Sequence, residues 1–184
     1  MDVRKVMKRF LEELLYIFCN YVVCYIPIWG VRRCIYQLMG MQIGKGARIL
    51  MGTQIIHPWK ISIGSYSCVN ENCFLDGRGG ISIGSNVTVA IYTKLITGYH
   101  NIDDDEFAYL QEKIIVENNA VIFADCTVLA GANIGKGCVI VAKSLVRRGN
   151  YIKNHVYAGN PAICVRERLS QSNYIQNKWL PILR

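Results

Sequence analysis

Charged residues, prolines and histidines are all scarce in this chain. Of its 184 residues, 18% are charged, four are proline and three are histidine. Hydrophobic residues make up 52%, which excludes a disordered chain, and the sixteen glycines have no three-residue period, which excludes a collagen-like one. The length and composition therefore predict one domain with a substantial core.

Cysteine motifs for metal or disulfide frameworks are also missing. The eight cysteines form no CxxC pair, and none has a histidine nearby at zinc-finger spacing. We interpret the chain as a reduced, intracellular protein.

The sequence has no apolar run long enough to cross a bilayer comfortably. Its most apolar stretch, residues 14–29, contains Asn20 and Pro27 and falls short of the roughly 20 residues that a spanning helix needs. Glu12 and Glu13 precede it and no small-residue cleavage site follows, which argues against a cleavable signal peptide. Six basic residues flank the stretch: Arg4, Lys5, Lys8, Arg9, Arg32 and Arg33. An interfacial helix on anionic lipid fits this pattern, and so does a helix packed on the protein body or on a neighbouring subunit.

A repeat runs through most of the remaining chain. The segment ISIGS at positions 61–65 recurs at positions 81–85. Within each block, Ile, Val or Leu recurs every six residues, at positions 43, 49, 55, 61, 63, 69, 75, 81, 83, 89, 95, 116, 122, 128, 134, 140, 146 and 152. A small residue stands two positions before most of them, and we interpret Cys73, Cys126 and Cys138 in this way, as compact core filling. The period predicts a parallel β-solenoid with three short strands in each coil of 18 residues.

The [Ile/Val]-Gly-x4 pattern, over about residues 41–166, resembles that of the hexapeptide-repeat acetyltransferases. The resemblance implies an all-β fold whose body, residues 41–162, is a left-handed parallel β-helix. An N-terminal helical segment (residues 1–40) and a short C-terminal tail (residues 163–184) would flank it. The resemblance also implies a homotrimer with its active site between adjacent subunits.

The repeat is interrupted once, by the loop at residues 97–113. Long loops on rigid scaffolds often carry function, and this one places His100 close to four acidic residues. On the loop alone, His100 could be a general base or could cap a turn. The sequence TGYH at 97–100 is similar to the TGxH element of maltose, galactoside and polysaccharide O-acetyltransferases, which implies that His100 is the catalytic base. We interpret His57 and His155 as surface turn residues, and the three histidines lack the spacing of a zinc site.

The resemblance implies acetyl-CoA as co-substrate and no metal. Five residues are predicted to contact it: Ala124, Ala142, Arg147, Arg148 and Arg166. The alanines occupy positions that present backbone groups to the pantetheine arm in the family, and the arginines would bind its anionic end. Arg166 follows the segment AGNPA at 158–162, a signature of these enzymes, although Ile163 stands where the family usually has Lys or Arg.

On the acceptor side, Asn70 aligns with a family asparagine that hydrogen-bonds sugar hydroxyls, and Asp76 is its predicted companion. The leading hypothesis is an acetyl-CoA-dependent O-acetyltransferase acting on a sugar hydroxyl of a cell-surface polysaccharide or its precursor. The alternatives are a sugar N-acetyltransferase and a non-catalytic solenoid scaffold. We expect a cytoplasmic protein, which would lie at the inner face of the membrane if its N-terminal segment binds lipid rather than the protein body or a neighbouring subunit. The formal charge of +8 comes without a nucleic-acid-binding motif, so we expect no nucleic acid partner.

Overall fold

A computed structural model of the chain describes residues 3–170 and residue 175. Helix α1 spans Val3–Tyr21, a 3-10 turn spans Val23–Tyr25, and helix α2 spans Trp29–Leu38. No helix in this described part combines the length and the apolarity that crossing a bilayer would need.

Short strands follow the helices. Their bounds are β1 Gln42–Ile43, β2 Arg48–Ile49, β3 Gln54–Ile56, β4 Ile61–Ile63, β5 Cys68–Val69, β6 Phe74–Asp76, β7 Ile81–Ile83, β8 Thr88–Val89, β9 Lys94–Ile96, β10 Gly98–His100, β11 Tyr109–Gln111, β12 Ile114–Val116, β13 Val121–Ile122, β14 Thr127–Leu129, β15 Ala132–Ile134, β16 Val139–Ile140, β17 Leu145–Val146, β18 Gly149–Tyr151, β19 His155–Ala158 and β20 Ile163–Glu167. A second 3-10 turn, Pro58–Lys60, lies between β3 and β4.

The strands stack as three parallel sheets around one core. The first sheet has the order β1-β4-β7-β12-β15-β18, the second β2-β5-β8-β13-β16-β19-β20, and the third β3-β6-β9-β14-β17. The pairs are parallel throughout, except that β20 returns antiparallel to β19. Each of the first five coils therefore contributes one strand to each sheet, the last coil contributes β18 and β19 to the first two, and the predicted parallel β-solenoid is confirmed.

The aliphatic ladder fills the core as the period of six predicts, with one exception. Of its 18 positions, 17 are buried, whereas Ile152 is 61% exposed. In the pairing of β15 with β18, Ile134 lies opposite Tyr151, so this last coil is one residue shorter than predicted. Two residues, Arg147 and Arg148, connect Val146 to Gly149, where three residues, 129–131, connect the paired positions Val128 and Ala132 of the coil before; Gly149 has φ +142°. Tyr151 thus takes the inward position and Ile152 faces outward.

The cysteines that were predicted to fill the core do so. Cys73, Cys126 and Cys138 are buried, and all eight cysteines are free thiols. Burial raises the pKa of the Cys73 thiol to about 12, which makes it an inert apolar group at neutral pH.

Insertions concentrate at the corner between the third and the first sheet, which we call the 3–1 corner. Successive coils carry four residues there (57–60), four (77–80), seventeen (97–113) and two (130–131). The 20-residue spacing of the early coils comes from the two four-residue turns. The corner between the second and third sheets, the 2–3 corner, has no comparable insertion.

The N-terminal segment closes the first coil through three side chains, one for each sheet. Arg33 donates to the carbonyl oxygens of Ile43 and Gly44, Arg32 to that of Ile49, and Asn20 to that of Ile55. Arg32 is fully buried, so its predicted contribution to lipid attraction is wrong.

Helix α1 turns its apolar side away from the solenoid. Asn20 near its C-terminal end is buried and bonds both backbone groups of Ile55, at 2.6 and 2.9 Å. The side chains spaced three and four residues apart on the opposite side are exposed: Val3, Met7, Phe10, Leu14, Ile17 and Tyr21. The helix therefore presents an unpartnered apolar stripe to its surroundings.

The C-terminal segment begins with a strand rather than a tail. Strand β20 occupies the first residues of the predicted tail, 163–184. From residue 171 onward, that tail lies outside the described residues apart from residue 175.

Candidate active site

The long insertion at the 3–1 corner folds as a β-hairpin. Strands β10 and β11 pair antiparallel, with Gly98 opposite Gln111 and His100 opposite Tyr109. His100 is the last residue of β10 and is exposed. The hairpin thus holds the imidazole clear of the solenoid body.

The tip of the hairpin fixes the orientation of His100. Its Nδ1 lies 2.8 Å from the carbonyl oxygen of Phe107, and its ring stacks on the Phe107 ring at 4.3 Å with an angle of 6°. A carbonyl oxygen can only accept a hydrogen bond, so Nδ1 must donate. In the neutral imidazole, Nε2 is then the unprotonated nitrogen and can accept a proton. The centroid of the Tyr109 ring lies 5.2 Å from that of His100, with an angle of 55° between the two rings.

Asp76 anchors the base of the hairpin. Its carboxylate is fully buried, with Oδ1 2.7 Å from Nε of Arg78. Oδ2 accepts from Nη2 of Arg78 at 3.0 Å and from the backbone N–H groups of Thr97 and Gly98 at 3.1 and 3.2 Å. The Thr97 hydroxyl donates to the Asp76 carbonyl at 2.7 Å. The carboxylate predicted to contact the acceptor is therefore engaged by the hairpin instead.

These partners stabilise the negative charge of the Asp76 carboxylate. Burial alone would raise the pKa of its carboxyl, but the hydrogen bonds from Arg78 and from the Thr97 backbone outweigh burial and keep the pKa below its usual range. Arg78 in turn lies over the Tyr109 ring, 5.4 Å from its centroid. One ionic pair therefore contacts both strands of the hairpin.

A second group of interacting residues connects the hairpin to the corner before β18. The Tyr99 hydroxyl donates to Oε1 of Glu112 at 2.6 Å, and Arg148 forms an ion pair with the same oxygen at 3.1 Å. Beside them is a mostly apolar cavity of about 290 Å³, lined by Ile96, Gly98, Tyr99, Leu129, Ala130, Arg147 and Arg148. Arg147 and Arg148 thus share the 3–1 corner with His100.

The remaining predicted residues lie elsewhere on the chain. Asn70, Ala124 and Ala142 follow β5, β13 and β16, so they stack along the 2–3 corner. The Asn70 side chain donates to the carbonyl of Val89 at 3.0 Å. Arg166 lies within the second sheet, opposite Val156, with its guanidinium on the Glu167 carbonyl. Within one chain, the predicted site residues therefore lie in separate places: at the 2–3 corner, at the 3–1 corner and in the second sheet.

A larger cleft beside His100 was not predicted. It encloses about 660 Å³ between α1 and the 3–1 corner, and we call it the α1 cleft. Its lining comprises Arg9, Glu12, Glu13, Leu15, Tyr16, Ile55, Ile56, His57, Pro58, Trp59, Arg78, Tyr109 and Gln111. The sequence signal was Trp59, a large residue at a position where the repeat has small ones.

His57 lies at a turn, as predicted, whereas His155 is the first residue of β19, directly after a turn. His155 Nδ1 is 2.8 Å from the Lys153 carbonyl, a local contact. His57 has φ +49° and stacks on Trp59 at 4.7 Å in the wall of the α1 cleft. Desolvation by burial lowers the pKa of His57, so it is more enclosed than a surface turn residue. Within residues 3–170, no three His, Cys, Asp or Glu side chains are grouped as metal ligands.

Comparison with known proteins agrees with this architecture. No family model matches the chain. It is 32% identical over 138 residues to the putative colanic acid biosynthesis acetyltransferase WcaF of Escherichia coli, a match that covers 75% of each chain. It also resembles two solved structures, each at 22% identity. A hexapeptide-repeat acetyltransferase of Vibrio cholerae complexed with acetyl-CoA matches with a TM-score of 0.71, covering 77% of this chain and 78% of that one. A maltose O-acetyltransferase of Clostridium difficile matches with a TM-score of 0.74, covering 92% and 90%.

Proposed function

Because the chain belongs to the hexapeptide-repeat acetyltransferases, we propose that it transfers an acetyl group from acetyl-CoA to a sugar hydroxyl. The acceptor would be a cell-surface polysaccharide or its lipid-linked precursor, and the similarity to WcaF, which is described as a colanic acid biosynthesis acetyltransferase, supports an acceptor of this class. The observation that carries the proposal is the orientation of His100, whose Nδ1 is tied to the Phe107 carbonyl so that Nε2 is left as a base.

In this mechanism, His100 acts as the general base. Its Nε2 takes the proton of the acceptor hydroxyl while the hydroxyl oxygen attacks the thioester carbonyl. A C–O bond forms, the C–S bond breaks as the tetrahedral intermediate collapses, and Nε2–H returns the proton to the departing thiolate. Backbone N–H groups can stabilise the oxyanion. The transfer is direct, because no serine or cysteine of the predicted motif has a base paired with it.

The donor site would form between two chains. Ala124 and Ala142 lie on the 2–3 corner, whereas His100, Arg147 and Arg148 lie on the 3–1 corner. In a homotrimer, the 2–3 corner of one protomer can face the 3–1 corner of the next. The alanines would then leave room for the pantetheine arm, and the two guanidinium groups would bind its phosphates.

The direct test is thiol release from acetyl-CoA with a panel of sugars, polysaccharides and lipid-linked oligosaccharides. O-acetylation is expected, and it is distinguished from N-acetylation by treating the product with hydroxylamine at mildly alkaline pH. An ester loses its acetyl group under these conditions and an amide keeps it. Thiol release that depends on an amino sugar and gives a stable product would favour the N-acetyltransferase alternative.

Replacing Arg147, Arg148 and Arg166 together with alanine is expected to raise the KM for acetyl-CoA about tenfold or more. Each lost charge-assisted hydrogen bond costs on the order of 1.5–3 kcal/mol. The acceptor KM should change much less.

The matched control replaces three exposed lysines at the remaining corner, Lys45, Lys136 and Lys153, and so removes the same charge. Calorimetry should show weakened acetyl-CoA binding in the arginine variant and near-normal binding in the lysine variant. Equal binding in the two variants would contradict the proposed donor site, and Arg166→Ala alone reports whether the second-sheet arginine contributes.

We also propose that α1 lies on an anionic membrane surface. Its outward stripe is exposed, and further exposed apolar side chains widen it: Val6, Leu11 and Phe18. An arc this broad suits an interface better than the narrow seam of a coiled coil. Lys5, Lys8 and Arg9 are also exposed and would add electrostatic attraction.

Co-sedimentation with liposomes tests this contact. The full chain is expected to bind vesicles that contain anionic lipid at low salt and to be released as salt rises, since each basic residue near the surface contributes about 1 kcal/mol. Phe10→Glu together with Leu14→Glu should abolish binding, whereas the triple lysine variant above should retain most of it. Absence of binding by the wild-type chain at low salt would rule out the membrane contact, leaving a neighbouring subunit as the partner of α1.

A further inference from the structure

The α1 cleft lies next to His100 and has a lining unlike the rest of the surface. Tyr109 belongs to both places, since it lines the cleft and its ring is 5.2 Å from the His100 ring. A ligand in the cleft could therefore extend directly to the Nε2 of His100. The 660 Å³ volume falls within the range of about 300–1,000 Å³ typical of small-molecule pockets, so the cleft can hold more than one sugar ring.

We propose that the α1 cleft is a saccharide subsite that binds the sugars adjoining the one that is acetylated. This inference rests on the proposed function and specifies its acceptor as an oligosaccharide or polymer rather than a free monosaccharide. Recognition would then depend on α1 and on the turns of the 3–1 corner, outside the strands of the solenoid.

The wall formed by the 3–1 corner offers an aromatic surface. Trp59 stacks on His57 with ring centroids 4.7 Å apart and an angle of 22°, and it remains 37% exposed. Aromatic rings bury large apolar areas, and the C–H face of a pyranose ring is an apolar surface of matching size. This pair can therefore support one face of a sugar.

The opposite wall comes from α1 and supplies hydrogen-bonding groups. Arg9, Glu12 and Glu13 line the cleft from the helix, and Arg78 and Gln111 line it from the solenoid. Carboxylate, guanidinium and amide groups each present two or more donors or acceptors in one plane, which suits pairs of neighbouring hydroxyls.

The charges in the cleft favour a saccharide over other ligands. The lining carries charges of both signs, since Glu12 and Glu13 are acidic, Arg9 is basic, and Arg78 is basic but already paired with Asp76. The negative charge of a nucleotide phosphate would be repelled by the glutamates. An acyl chain would have to desolvate four charged groups. A polyhydroxylated ligand can use both signs of charge.

The orientation of α1 supports a membrane-associated acceptor for the same cleft. The helix faces the cleft with Arg9, Glu12 and Tyr16, while Phe10, Leu14 and Ile17 point away from the solenoid. With these apolar side chains in a bilayer surface, the cleft would open beside the lipid headgroups. The sugars of a lipid-linked precursor would then reach the cleft without leaving the membrane.

The test uses de-O-acetylated oligosaccharides of one to four sugars, prepared by partial hydrolysis of colanic acid. With the wild-type chain, kcat/KM for thiol release is expected to rise at least tenfold from one sugar to three. Trp59→Ala and Glu12→Gln should each remove most of this rise while leaving the values for the monosaccharide unchanged. Trp59→Phe retains an aromatic face and should restore much of the rise.

Two controls separate the subsite from folding and from the proposed function. Glu167→Gln changes an exposed carboxylate outside the cleft and should behave as wild type. Calorimetric binding of the same oligosaccharides without acetyl-CoA measures the cleft independently of transfer. Binding that strengthens with length and depends on Trp59, without thiol release, would support the subsite and contradict the proposed function. A length dependence that survives both cleft substitutions, or wild-type binding that does not strengthen with length, would overturn the subsite.

Discussion

Replacing His100 with alanine is expected to lower kcat by about two to four orders of magnitude, the usual contribution of a general base. The side chain is exposed at the end of β10, and its contacts are with Phe107 and Tyr109 of the same hairpin. The solenoid core does not depend on it, so the melting temperature and the affinity for acetyl-CoA should stay close to those of the wild type. Single-turnover thiol release measures the effect on chemistry alone.

His155→Ala provides the matched control. This histidine also bonds a carbonyl through Nδ1, at 2.8 Å, but it begins strand β19 of the second sheet and is not part of the hairpin. It should retain wild-type turnover. Near-normal turnover in the purified His100 variant would refute the base assignment, whatever the result at His155.

Replacing Asp76 with alanine is expected to lower kcat at least tenfold and to lower the free energy of unfolding by about 3 kcal/mol. The substitution leaves the Arg78 guanidinium and the N–H groups of Thr97 and Gly98 without their buried acceptor, and breaking such a network typically costs this much. Because these groups fix the start of β10, the misplacement extends to His100. This result would identify Asp76 as a positioning residue for the proposed base.

The kinetic pattern separates positioning from general loss of stability. Asp76→Ala should lower kcat with little change in the KM for acetyl-CoA. Ile49→Ala removes a buried ladder side chain of the second sheet and costs about 2–5 kcal/mol, yet it should leave kcat near that of the wild type. If the two variants lose kcat equally, the effect of Asp76 is only structural.

The pH dependence of stability gives a further readout for Asp76. Its folded-state pKa is depressed, so its contribution is fully present above the unfolded value of about 3.9 and is lost as pH falls through the folded pKa. Urea titrations of the wild type should show this loss below about pH 4. Asp76→Asn should flatten that part of the profile.

The sequence predicted the solenoid because its evidence is local and periodic. Each ladder residue, such as Ile63 or Val89, recurs at a fixed interval, and one side chain in six is enough to define an inward face. The prediction that Ile152 is buried was wrong, because the register of the last coil depends on the length of one corner, which the period does not encode.

The candidate site was less predictable because its contacts are long-range. Asp76 was assigned to the acceptor on position alone, whereas its partner Thr97 lies 21 residues away on the next coil. The α1 cleft depends on Asn20 meeting Ile55 across 35 residues. The carbonyl of Phe107 determines which ring nitrogen of His100 carries the proton, and Phe107, with φ +49°, lies outside the periodic positions.

The closure of the first coil has a consequence for how copies of this protein can associate. In a parallel solenoid, every unpaired carbonyl at an open end is a template on which another chain can add a strand, and unlimited addition produces a fibril. Arg33, Arg32 and Asn20 occupy one such carbonyl in each sheet at the N-terminal end. At the other end, β20 reverses direction and cannot continue the parallel stacking of the second sheet. Strand addition along the solenoid axis is therefore hindered in all three sheets at the N-terminal end and in the second sheet at the other end, which favours association through the sides, where the proposed trimer would form.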